Sequence, residues 1–197
     1  MPTPPFHPAD ITAVILAGGG GTRLGGVDKA QLRWQGRPFI EHSVERLRPQ
    51  AARVIVNSER ADGYRQFGLQ VVGDAWPERR GPLAGVLAAL EASTTPFTLI
   101  VPCDCPQLSP QLAQRLQQAL LAENADLAYA TVAGDNHYLF ALLRTELRDA
   151  LRTHLAEPGS GAVRRWYAGL RCAHARFDDQ PDCFINVNEP NDLDRLP

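Results

Sequence analysis

Residues 14–29 read Val-Ile-Leu-Ala-Gly-Gly-Gly-Gly-Thr-Arg-Leu-Gly-Gly-Val-Asp-Lys, an apolar run that breaks into six glycines and ends near two cations, Arg23 and Lys29. Residues without side chains let a backbone approach a ligand closely and turn its N–H groups toward it. Arg23 and Lys29 supply the positive charge that a polyphosphate needs. Two better-known glycine loops do not fit. A P-loop requires Lys-Ser/Thr directly after its last glycine, but Val27 and Asp28 follow Gly26. The dinucleotide fingerprint requires glycines at its first, third and sixth places, and counting from Gly18 or Gly19 puts Arg23 or Leu24 at the sixth. An unliganded glycine turn is the plainer alternative; the cations at the end of a strand-like run weigh against it.

Asp104 follows a strongly apolar run within Val101-Pro102-Cys103-Asp104-Cys105-Pro106. Magnesium takes one or two carboxylates and completes its shell with phosphate oxygens and water. Asp104 is therefore a candidate metal ligand beside a nucleotide, with a turn-capping aspartate as the alternative. Asn186 and Asn188 stand two residues apart, and on a strand both amides face one side, toward metal-bound water or phosphate. They serve equally well as a turn before the last helix. Gly81 and Gly85 flank the start of a helix, where unpaired N–H groups suit an anion. Asn57 and Asp74 end apolar runs and are candidates for hydrogen bonds to a base or ribose. His137 reads as a packed histidine. No Ser/His/Asp or Cys/His set stands out for covalent catalysis, and phosphoryl or nucleotidyl transfer needs none.

Positioning these residues requires strands that end together. Residues 11–16, 53–57, 70–73, 97–102 and 126–132 read as strands. Residues 39–47, 83–92 and 110–122 carry the three- and four-residue apolar spacing of helices. Pro38 and Pro82 suit first helical turns, and Ser109 suits an N-cap before Pro110. Beyond residue 133 the pattern gives a strand at 136–143, helices at 146–155 and 162–167, short strands at 171–177 and 183–186, and a closing helix at 189–196. Strand–helix alternation predicts an α/β fold, a three-layer, Rossmann-like and mostly parallel sheet with ligands at the carboxyl ends of its strands.

The 197 residues suit a proline-rich segment at 1–10, expected to be flexible, and a single domain at 11–197. A net charge of −2 with no Lys/Arg block argues against nucleic acid as a partner. No apolar run approaches the ~20 residues of a membrane span, and the start of the chain lacks a signal-peptide pattern. Four cysteines without zinc-knuckle spacing fit free thiols in the cytoplasm.

Four segments together, Leu16-Ala17-Gly18-Gly19-x-x-x-Arg23-Leu24-Gly25-x-x-Asp28-Lys29, Gly81-Pro82-Leu83-Ala84-Gly85, Pro102-Cys103-Asp104-x-Pro106 and Asn186-Val187-Asn188-x-Pro190-x-Asp192-Leu193, resemble the molybdenum cofactor guanylyltransferases. The first alone would point only to the broader nucleotidyltransferase superfamily. The resemblance implies transfer of GMP from GTP to the terminal phosphate of molybdenum-molybdopterin, with pyrophosphate released and Mg2+ required. It implies that Leu16, Ala17, Gly18, Asn57 and Asp74 contact the nucleotide, that Lys29 binds its phosphates, and that Asp104 binds both GTP and magnesium. Arg23, Lys29 and Asp104 would form the catalytic set. Gly81, Gly85, Asn186 and Asn188 would lie toward phosphate or molybdopterin. It also implies transient contact with proteins that insert or receive the cofactor.

Gly18-Gly19 matches the guanylyl branch; the cytidylyl branch reads Leu-Ala-Ala-Gly there. Transfer of CMP and a non-catalytic nucleotide sensor are the two rival readings. Gly21 replaces a common serine, Leu24 a methionine, Tyr138 a proline, and Ala162 an arginine, although Arg164 and Arg165 stand nearby.

Overall fold

The computed structural model describes residues 5–18, 29–74, 76, 81–157, 159–187 and 190–196. Nine strands are described: β1 (Ile11–Leu16), β2 (Arg33–Trp34), β3 (Arg37–Pro38), β4 (Arg53–Asn57), β5 (Gln70–Val72), β6 (Phe97–Pro102), β7 (Leu127–Val132), β8 (Asp135–Arg144) and β9 (Cys172–Arg176). Seven of them form one sheet in the order β5-β4-β1-β6-β8-β7-β9. Only β8 runs against its neighbours in that sheet. β2 and β3 make a separate hairpin that the sequence reading missed. Its two turn residues, Gln35 and Gly36, both take positive φ, as a tight primed turn requires.

Among the described residues five α-helices cover the sheet: α1 (Phe39–Leu47), α2 (Pro82–Ala92), α3 (Leu112–Ala122), α4 (Arg148–Leu155) and α5 (Val163–Tyr167). Side chains alternate across a strand, and the two cores divide on that alternation. Ala13, Ile15, Val56, Leu99 and Val101 join Ile40, Val44 and Leu47 of α1 and Leu112, Leu116 and Leu120 of α3. Val14, Ile55 and Ile100 join Leu83, Val86, Leu87 and Leu90 of α2, Leu151 and Leu155 of α4, and Trp166 and Tyr167 of α5. The result is the expected three-layer, mostly parallel α/β arrangement. Strands β1 and β6 are buried along nearly their whole length, which explains their nearly continuous apolar sequences, interrupted only by Thr12 and Thr98.

The differences from the sequence reading are local. Helix α3 begins at Leu112, not at Pro110. Ser109 Oγ accepts from Gln111 N (3.1 Å), closing a turn ahead of the helix. The helix start is satisfied from a distance by buried Gln50, whose Oε1 accepts Ala113 N–H at 2.9 Å. No local pattern announces a cap that comes from 63 residues away. Residues 183–186, expected as a strand, instead begin as the second half of a 3-10 turn at Pro181–Phe184 and continue as irregular chain. Pro181 sets the φ of that turn, and Phe184 inserts between His137, Phe140 and Phe177, with ring centroids 4.8–5.1 Å apart. The closing helix is a 3-10 segment, Pro190–Arg195. Of the proline-rich start, residues 1–4 lie outside the described set; Phe6 packs on the first core and Pro8–Asp10 form one 3-10 turn.

Candidate active site

Strand register gathers the candidate residues. Leu16 pairs with Asn57 on one side and Pro102 on the other, and Asn57 pairs with Val72. Four strand ends therefore stand in a row, roughly 14 Å across at the usual strand spacing. Gly18, Asn57, Asp74 and Asp104 lie at or just past those ends. From β1 the chain leaves to β4 and β5 and returns to β6 on the opposite flank. The crevice beside β1 is thus the switch point where open α/β sheets bind ligands.

On the β4 side, Ala17 N–H donates to Asn57 O (2.8 Å), tying the start of the glycine stretch to β4. The Asn57 side chain is 1% exposed. Its Nδ2 donates to Val72 O (3.3 Å) and to Asp74 Oδ1 (3.1 Å). Its Oδ1 fills the space where side chains of Gly18 and Gly85 would stand. A Cβ at Gly85 would lie 2.4 Å from that oxygen, and one at Gly18 would lie 3.1 Å from it. Gly85 therefore belongs to the packing beneath Asn57 and Leu16. Gly81 opens α2 with φ of 61°, a conformation that favours glycine, and its missing Cβ faces Gly161 O at 3.3 Å. That contact brings residues 159–162 to the start of α2.

On the β6 side, Lys29 Nζ stands 3.3 Å from Asp104 Oδ2, with the two side chains 24% and 16% exposed. The structure brings this cation and this carboxylate into one cleft although 75 positions separate them. Asp104 is fixed from behind, because Val187 N–H donates to its backbone oxygen at 2.9 Å. Its neighbour Cys105 is buried, and the thiol donates to Asn186 Oδ1 at 2.6 Å. Asn186 thus reaches the Asp104 turn through Cys105, from an irregular segment and not from the strand face expected for it. Asn188, Arg23 and the rest of residues 19–28 lie outside the described residues. His137 is half-buried against Phe140 and Phe184, and burial lowers its pKa.

Burial, assisted by the Asp104 carboxylate, raises the Cys105 pKa well above the usual thiol value. A thiol reacts as its thiolate, so brief iodoacetamide treatment of the native protein should leave Cys105 unmodified. Peptide mass spectrometry should find it alkylated only after unfolding.

Two features had no sequence signal. Glu59, an ordinary surface carboxylate in sequence, accepts Asp74 N–H at 2.8 Å. The hydrogen bond from Cys105 to Asn186 is equally unannounced.

Residues 13–177 match the MobA-like NTP transferase domain. The chain belongs to this family. Among its relatives, the molybdenum cofactor guanylyltransferase of Shewanella sediminis is 41% identical, covering 94% of this chain and 95% of its own. That of Shewanella amazonensis is 42% identical, with the same coverage of 94% and 95%. Among solved structures, molybdopterin-guanine dinucleotide biosynthesis protein A from Archaeoglobus fulgidus superposes with a TM-score of 0.77 at 20% identity, over 94% of this chain and 96% of that one. The bifunctional IspDF of Campylobacter jejuni shares the fold over 54% of its length, with a TM-score of 0.71. The MobA-like family accounts for both the fold and the nucleotidyltransferase class of this chain, and the row of strand ends is where its chemistry must be sought.

Proposed function

We propose that this chain transfers GMP from GTP to the terminal phosphate of molybdenum-molybdopterin, forming the guanine dinucleotide and releasing pyrophosphate. The observation that carries this reading is the Lys29–Asp104 pair, with Asp104 just past the end of β6, the strand beside β1 at the switch point of the sheet. It joins full-length similarity to the guanylyltransferases.

A requirement for Mg2+ is part of this reading. Among the described residues no three His, Cys, Asp or Glu side chains gather to hold a metal. Asp104 is the described carboxylate beside Lys29, and a magnesium ion that arrives with a triphosphate takes one or two carboxylates and fills its shell with phosphate oxygens and water. Bound there, it would neutralise charge on the phosphates and on the departing pyrophosphate.

The remaining work belongs to the chain's own residues. Lys29 neutralises Asp104 in the free protein; when a ligand carrying both a cation and phosphates arrives, the carboxylate serves the former and the ammonium the latter. Leu16, Ala17 and Gly18 pass beside Asn57 and Asp74, and we assign the base and ribose to that side. Gly81 and Gly161 mark the side facing the pterin phosphate. An oxygen of that monoester attacks the α-phosphorus of GTP, the bond to the β-phosphate breaks, and pyrophosphate leaves with its electron pair. The nucleophile is already anionic near neutral pH, so no general base is needed, and the rate comes from positioning and charge stabilisation. This reading places the reaction in the cytoplasm, where the four thiols, joined by no disulfide, stay reduced. Among the described residues no helix is long and apolar enough to cross a membrane.

Calorimetric titration with GTP and CTP in magnesium tests the choice of nucleotide: GTP should bind, and CTP should not compete with it. Lys29→Ala should weaken GTP binding about tenfold or more, the scale of a charge-assisted phosphate contact. Its melting temperature should hardly move, because a partly exposed ion pair contributes about 1 kcal/mol or less. Wild-type affinity in that variant would remove Lys29 from the phosphate site.

A further inference from the structure

Asn57, Asp74 and Glu59 are linked by hydrogen bonds at the ends of β4 and β5. Both hydrogens of the Asn57 amide are committed within the protein, one to Val72 O and one to Asp74 Oδ1. The opposite amide orientation would set Oδ1 against two acceptors, so the assignment follows from the partners themselves. The remaining Asn57 oxygen is walled in by Gly18 and Gly85, in a residue only 1% exposed. Asn57 thus has no donor to offer a base, and its acceptor faces protein.

Asp74 is different. It is partly exposed, its Oδ1 accepts from Asn57, and its backbone N–H is held by Glu59 Oε1 at 2.8 Å. Glu59 reaches that N–H across Gly73, where a Cβ would stand 3.3 Å from the same oxygen. Among the described residues no side chain hydrogen-bonds Asp74 Oδ2. A carboxylate held through Oδ1 and through its backbone N–H, with Oδ2 unoccupied by any described side chain, matches the adjacent N1–H and exocyclic N2–H2 donors of guanine. Adenine at N1 and cytosine at N3 present lone pairs to that position, which a carboxylate repels.

We infer that Asn57 and Glu59 are positioning residues for base selection, acting through Asp74, whose carboxylate reads the guanine edge. This rests on the GTP-dependent reading proposed above, and the experiment separates the two.

The full chain is titrated with GTP, with ITP (which lacks the exocyclic amine) and with XTP (which presents an oxygen there), alongside Asp74→Asn, Glu59→Ala and Glu59→Gln. Wild type should prefer GTP to ITP. Asp74→Asn should lose GTP affinity about thirtyfold, the cost of an unpaired donor, and gain affinity for XTP. Glu59→Ala should weaken GTP about five- to tenfold, with ITP affected less, so that the preference between them shrinks. Turnover at saturating GTP should stay within about twofold, placing the change in KM and not in kcat. Glu59→Gln keeps an acceptor for Asp74 N–H and should restore the preference. An Asp74→Asn variant that binds GTP like wild type overturns the base site itself, and the inference with it. An Asp74→Asn variant that loses GTP while Glu59→Ala keeps the wild-type GTP-to-ITP ratio leaves the site standing and overturns the positioning role.

Discussion

Asp104→Asn should lose about a hundredfold or more in pyrophosphate release, the scale measured when one group that stabilises transition-state charge is removed. Asparagine has nearly the same shape, and the backbone oxygen that accepts Val187 N–H is unaffected. The lost contact to Lys29 is a partly exposed ion pair, worth about 1 kcal/mol or less. For a chain of this length that is a shift of about 2–4 °C in melting temperature at most. Activity and stability should therefore separate cleanly. A coupled assay of pyrophosphate release, with thermal melting on the same samples, measures both. Turnover close to wild type would deny Asp104 its role, and a collapse of the fold would make it a structural residue.

Gly85→Ala tests the other end of the cleft, and two effects of opposite sign compete there. In an ordinary helix interior, alanine in place of glycine adds about 1 kcal/mol of stability. At this position the new Cβ would stand 2.4 Å from Asn57 Oδ1 and 3.4 Å from Leu16 Cδ2. The Asn57 amide is anchored by two hydrogen bonds, so it cannot yield without releasing Asp74. Overpacking of this kind costs about 1–3 kcal/mol, and breaking the amide contacts adds about 1 kcal/mol for each bond lost. Overlap wins. The melting temperature should fall by several degrees, on the order of 2–4 °C per kcal/mol, and GTP affinity should fall about tenfold or more as Asp74 shifts. A raised melting temperature with unchanged affinity would mean that helix preference prevails and that Gly85 has no part in the cleft.

The sheet was legible because its central strands are buried on both faces. In Ile11–Leu16 and Phe97–Pro102 an apolar run broken only by Thr12 and Thr98 reads as a buried strand, and their ends put Gly18 and Asp104 at the carboxyl edge from residue order alone. Elements held by distant side chains were not legible. The first turn of α3 depends on Gln50, and Phe184 turns residues 181–184 into a 3-10 coil because three aromatic rings receive it. The same division holds at the site. Lys29 and Asp104 declare themselves by charge and by position after apolar runs. The commitment of the Asn57 amide and the hold of Glu59 on Asp74 arise only when β4 and β5 lie side by side, since neither side chain differs in sequence from an ordinary turn residue.

The most direct test supplies α-labelled GTP, magnesium and molybdenum-molybdopterin to the purified chain and follows the label and pyrophosphate together. Guanylyl transfer at the Lys29–Asp104 cleft predicts a labelled guanine dinucleotide, formed in step with one pyrophosphate per transfer and not replaced by a cytosine product when CTP is offered. Label that never leaves GTP, or a dinucleotide made from CTP in preference, would contradict it.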